Sequence, residues 1–158
     1  IGGKMEKSKL LALLDARWNA LQEAWRRLTP QELAVEKAVG EWSVRDVIAH
    51  VAIWEEENLK NLPLIVEEKP LKRYSTLYGG IDAFNALKAD EKRKLSLQDV
   101  LAYSQTTHAA LKDMLASFPA EAYKTNARFV RRVRADTVDH YPEHTQSILA
   151  WRQGRKEG

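Results

Sequence analysis

Four histidines occur in the 158 residues, and three of them have the spacing of a ligand set. His140 and His144 are four apart in a segment with helical periodicity, so both rings leave one helix face a turn apart. His50 falls on the apolar stripe of a second predicted helix, with Val47, Val51, Trp54 and Asn58. Three neutral imidazoles suit zinc, nickel or iron, and without a fourth protein ligand they leave positions open for water or substrate. That is the makeup of a catalytic metal site rather than a structural one. The competing interpretation is that these are ordinary core or surface histidines. A buried pair facing the core must be coordinated or hydrogen-bonded, because a buried polar ring without a partner costs a few kcal/mol.

The other chemistry-bearing residues are weaker signals. His140-Tyr-Pro-Glu-His144 spells H-x-x-E-H, the inverted zinc-protease motif with Glu143 as general base. Only fourteen residues follow His144, too few for the larger fold and further ligand of that class, so the motif is rejected. Glu143 remains a candidate carboxylate for orienting a ligand or accepting a proton, as does the Tyr103 hydroxyl. His108 lacks ligand spacing and is expected to be a satisfied or exposed side chain. Tyr103, Tyr141, Trp54 and Trp151 can line a pocket, although aromatics at helical spacing more often belong to the core. No serine sits in a G-x-S-x-G elbow, and no glycine-rich phosphate loop exists.

These side chains must be held by helices. Leu10, Leu14, Trp18, Leu21, Trp25 and Leu28 recur at spacings of three and four, predicting a first long helix from Lys7 to Leu28. Thr29-Pro30 restarts the chain as an N-cap followed by a first-turn proline. Ser43 and Asp46 form a capping box for the helix that carries His50, and Pro63 is expected to close or kink it. Residues 67–80 contain Pro70, Gly79 and Gly80 without sustained periodicity, which predicts a long loop forming one pocket wall. A short helix from Ile81 to about Asp90 is followed by a helix capped at Ser96 and running to Phe118. The window from Trp42 to His50 resembles that from Leu95 to Tyr103, which shared capping chemistry explains better than duplication. The last helix is expected to begin near Thr137 to Asp139, so that Pro142 falls in its first turn, or else to kink at the histidines. Phe129 to Val133 is the one stretch with some strand-like alternation. The predicted architecture is an all-α four-helix bundle, a fold that projects metal ligands inward from facing helices.

Composition narrows the partners. The length fits one domain over residues 5–158, and residues 1–4, which precede the first methionine, are expected to derive partly from outside the native sequence. There is no cysteine, which excludes disulfides, thiolate ligands and a cysteine nucleophile. No apolar run is long enough to span a bilayer and the first residues lack a signal-peptide pattern, so a soluble, cytoplasmic protein is expected. The net charge is only +3, and Arg128, Arg131, Arg132 and Arg134 form its one local excess, so neither nucleic-acid nor membrane binding is expected. A small-molecule substrate is the expected partner, and a homodimer fits bundles of this kind.

The segment Trp42-Ser-Val-Arg-Asp-Val-Ile-Ala-His50-Val-Ala-Ile-Trp54-Glu55, followed by Asp136-Thr-Val-Asp-His140-Tyr-Pro-Glu-His144, resembles the DinB/YfiT-like superfamily. The second segment and the tryptophans look most like its ClbS/DfsB-type branch. The resemblance implies a four-helix bundle in which His50, His140 and His144 hold a divalent metal. It also implies one of two chemistries. Members include transferases and isomerases that use bacillithiol, mycothiol or glutathione, and a hydrolase that opens a strained cyclopropane in a genotoxin. With no cysteine in the chain, a thiol would have to arrive as a low-molecular-weight cosubstrate. The expectation is therefore a metal-dependent hydrolase or thiol transferase acting on a small electrophile. A small-molecule sequestration protein and a helical interaction module with structural histidines are the alternatives.

Overall fold

Helix boundaries follow the capping chemistry closely. The computed structural model describes residues 5–157, so the expectation for residues 1–4 lies outside the described residues. The first helix, α1 (Lys7–Trp25), buries Leu10, Leu14, Trp18, Leu21 and Trp25, the stripe predicted from spacing. It ends three residues sooner than predicted, and Leu28 sits in the turn that closes on the Trp25 carbonyl. In α2 (Pro30–Leu33) Thr29 and Glu32 exchange side-chain to backbone bonds of 3.0 and 3.1 Å. Ser43 and Asp46 do the same at 3.1 and 3.0 Å to start α3 (Val44–Val66). Each box satisfies two amide donors that the first helical turn leaves free.

The α3 helix is the central element. Every side chain from Val47 to Glu55 is buried, so it is covered on all sides rather than along one stripe. Of the two outcomes expected at Pro63, closure does not occur, because the helix continues through it to Val66. A mid-helix proline costs about 3 kcal/mol. Full burial of Leu62 and near-full burial of Ile65 on either side of it offset that cost.

The expected long loop over residues 67–80 contains a short helix, α4 (Tyr74–Tyr78). It stops at Gly79, whose φ of 86° is the left-handed conformation that glycine adopts without strain. Tyr74 and Tyr78 pack on Phe84 of α5 (Ile81–Arg93) and, with Trp54, form a second apolar cluster. Ser96 accepts from the Asp99 amide to begin α6 (Leu97–Ser117). A short α7 (Ala120–Thr125) leads to α8 (Ala127–Asp136). Here the strand-like appearance of Phe129 to Val133 gives way to a helix. Phe129, Val130 and Val133 form a fully buried stripe at helical spacing, and Asp136 lies one turn further along. The last helix of the described residues is α9 (Tyr141–Glu157).

The described residues thus form an all-α structure in which α1, α3, α6 and α9 are the four long helices. Helix α3 packs against α6, α8 and α5, while α1 packs against α9. No helix among the described residues is long and apolar enough to cross a membrane.

Candidate metal centre

The Ser43 capping box fixes where α3 begins, and His50 stands two turns later on its buried side. The Trp42 ring lies tilted against its imidazole, with centroids 4.6 Å apart. His140 is placed differently from the sequence expectation. It ends the turn that joins α8 to α9 and precedes the first helical residue, Tyr141. The Thr137 carbonyl accepts from the His140 and Tyr141 amides at 2.9 and 2.8 Å, and Thr137 Oγ1 donates to Val133 O. Arg17 of α1 donates to the Val138 carbonyl, and Arg134 holds Asp139 through two 3.1 Å bonds. Pro142, as second residue of α9, falls where no helical donor is required. His144 follows one turn beyond His140.

Three imidazoles from two distant stretches therefore meet. His140 Nε2 lies 3.1 Å from His50 Nε2 and 2.8 Å from His144 Nε2. One nitrogen from each ring falls within 4.8 Å of the others, a grouping able to hold a metal ion. With metal–nitrogen bonds of about 2.0–2.1 Å in a tetrahedral site, neighbouring ligand atoms stand about 3.3–3.4 Å apart, so the two contacts are a few tenths of an ångström tighter and the rings would spread slightly to admit an ion. Burial holds all three rings in the neutral form that a cation requires. It depresses His50 to about 2, aided by His140 and His144, and His144 to about 3, aided by His140. His140 falls to about 4, chiefly through burial and against the opposing effect of the Asp136 backbone.

The imidazoles open onto a cavity of about 410 Å³, lined by His50 and His140 together with Trp54, Tyr74, Asn85, Arg132 and Asp136. Tyr74 comes from the segment expected to be a loop, which does supply one wall. Arg132 donates to Asp136 through Nε at 2.8 Å and to the Tyr74 hydroxyl through Nη2 at 2.9 Å. Burial lifts Asp136 to about 6 despite that ion pair. In the sequence Arg132 is one member of a basic cluster. Its i, i+4 relation to Asp136 was the sequence signal that could have separated it from the rest.

Neither residue expected to assist proton transfer lines this cavity. Glu143 is on the exposed face of α9, and its carboxylate has no hydrogen-bonding or ionic partner among the described residues. The Tyr103 hydroxyl bonds to Glu56 and faces a different, much smaller cavity with Lys60 and Lys92. Burial raises its pKa, with Glu56 adding to the effect. Of the aromatics expected at the pocket, Trp54 lines it, whereas Trp151 packs on the main core and Tyr141 is buried behind the centre.

His108 is neither exposed nor a ligand. Its Nδ1 lies 2.6 Å from Glu55 Oε2, its ring stacks on Trp18 at 3.7 Å, and the Tyr141 hydroxyl donates to the same Glu55 oxygen at 2.8 Å. Glu55 is fully buried, and burial raises its pKa. Sequence reasoning missed this network because Glu55 reads as the polar side of an amphipathic helix. Only a helix covered on every side turns that position inward.

A family model for the DinB superfamily matches residues 13–147. No curated protein and no solved structure matches the chain.

Proposed function

This chain belongs to the DinB superfamily, and from that premise we propose that it is a divalent-metal-dependent enzyme acting on a small electrophilic molecule, by hydrolysis or by transfer of a low-molecular-weight thiol. The observation that carries the proposal is the meeting of His50, His140 and His144 at the edge of a ligand-sized cavity. Three imidazoles favour zinc or nickel, with iron as a further option, and leave coordination positions free. A divalent cation there supplies Lewis acidity, which makes water or a thiol cosubstrate easier to deprotonate near neutral pH.

The chain's own residues do the rest. His50 and His140 present their edges to the cavity, so whatever reacts is delivered to that side. Trp54 and Tyr74 give the cavity an aromatic wall. Arg132 is fixed by two partners and pays little ordering entropy when it meets a polar substrate group. Asp136, buried and held near pH 6, can exchange a proton within this cavity close to neutral pH.

Elemental analysis of the purified protein tests the proposal. About one equivalent of zinc or nickel is expected, and His50→Ala and His144→Ala should each lose it while remaining helical. Absence of metal, together with no change in melting temperature on adding zinc or nickel, overturns it. Turnover of a thiol-reactive chromophore with added glutathione or another small thiol separates transferase from hydrolase. Stoichiometric binding without turnover identifies sequestration instead.

A further inference from the structure

The cavity beside the imidazoles has its own recognition chemistry. Arg132 is largely buried, and its guanidinium carbon lies 5.8 Å from the rings of both Trp54 and Tyr74, within cation–π range. Its Nε edge is taken by Asp136 and its Nη2 by the Tyr74 hydroxyl, while Nη1 has no partner among the described residues. The Tyr74 oxygen is saturated, since it donates to Glu57 at 2.8 Å and accepts from Arg132 and from Asn61 at 3.4 Å. Trp54 Nε1 donates to Asn85 Oδ1 at 2.9 Å. That bond fixes the orientation of the amide, because an indole N–H can only donate, and it leaves Asn85 Nδ2 free.

The lining residues Arg132 and Asn85 thus present free donors beside an aromatic wall. Two carboxylates stand near: Asp136 is committed through Oδ2 to the opposite edge of the guanidinium, and Glu57 accepts from the Tyr74 hydroxyl. An acceptor-rich anion approaching Nη1 therefore meets a donor first, and a carboxylate is the planar acceptor that a guanidinium edge binds best.

We propose that this cavity is a carboxylate-recognition site, in which Arg132 Nη1 and Asn85 Nδ2 bind the carboxylate of a small ligand whose apolar body rests against Trp54 and Tyr74. The substrate class of the enzyme is then an apolar molecule carrying an acid group. Only the placement of its reactive end toward His50 and His140 rests on the metal-enzyme reading above. Carboxylate binding itself does not need the metal.

Calorimetric titration of the metal-stripped protein with benzoate, against benzamide as the uncharged isostere, tests the site. Benzoate should bind at least about tenfold more tightly than benzamide, since a charge-assisted pair replaces a neutral one. Arg132→Met should weaken benzoate by about tenfold or more. That variant strips Asp136 of its partner and can lose its fold, so Asn85→Asp provides a second arm. It keeps an acceptor for Trp54 Nε1 but sets a negative charge against the ligand, and it should also abolish binding. His144→Ala should leave benzoate affinity within about twofold, because no donor of the site is touched. Equal binding of benzoate and benzamide, no binding of benzoate, or parental affinity in a folded Asn85→Asp variant overturns the proposal. If benzoate binds only when zinc is present and is lost in His144→Ala, the carboxylate goes to the metal. In that event the recognition site falls while the metal centre stands. The reverse pattern, benzoate binding as expected in a protein that takes up no zinc, retains the site and removes the metal enzyme.

Discussion

Protonation is what would disarm the three imidazoles, and their burial decides when it happens. An unperturbed histidine takes a proton near pH 6.5, whereas folding depresses His50 to about 2, His144 to about 3 and His140 to about 4. The unfolded chain therefore binds protons that the folded chain refuses. The contribution to stability is present above about pH 6.5 and is lost as pH falls from there through the folded-state values. Denaturant titrations of the metal-free protein should show stability declining below about pH 6.5, with a shallower decline in His50→Ala. Metal uptake by the folded chain follows a different curve. With all three ligands already neutral, zinc affinity should stay level from neutrality down to about pH 5 and weaken as His140 becomes the first to protonate near 4. A midpoint close to 6.5 in a competition assay would mean that the rings are solvated.

Helices bring these residues together, and the contacts that hold the helices are themselves polar. Glu55 on α3, His108 on α6 and Tyr141 at the start of α9 share one buried oxygen, so the network ties the helix of His50 to the turn that carries His140. Glu55→Ala removes the acceptor of both bonds and should destabilise the protein by about 2–3 kcal/mol. Glu55→Gln keeps an acceptor and should cost less, and comparing the two melting curves separates the bonds from the volume. The loss should extend to metal affinity, because α3 and α9 set the spacing of the ligands. Much of this scaffold was visible beforehand. Thr29, Ser43 and Ser96 signal their helix starts through local hydrogen bonds that need nothing beyond the adjacent residues. Helix α8 was not, since Phe129 to Val133 is too short for its period to be decided until its apolar stripe meets α3. Closure at Pro63 and an unbroken loop over 67–80 fail for a related reason. Local preference argues for a break at both places, but burial of Leu62 and Ile65, and of the Tyr74 and Phe84 cluster, outweighs it.

Across the whole molecule, a metal at the triad would act as a cross-link between α3 and the α8–α9 junction. Binding to the folded state alone stabilises by about 2.7 kcal/mol at a hundredfold excess over the dissociation constant. The melting temperature should accordingly rise with zinc or nickel in the parent protein and remain fixed in His144→Ala, as scanning calorimetry can show.

The amino-acid sequence by itself determined the periodic apolar stripes, the capped helix starts and the pairing of His140 with His144, because each depends on residues within a turn or two of one another. Tertiary structure alone decided that Glu55 and His108 turn inward and that Arg132 leaves its basic neighbours to face a cavity with Asn85, and it brought His50, which the sequence offered as a third ligand, to that pair. Those outcomes depend on which helix covers which face. Local spacing constrains the faces of a helix, but only packing chooses what each face will touch.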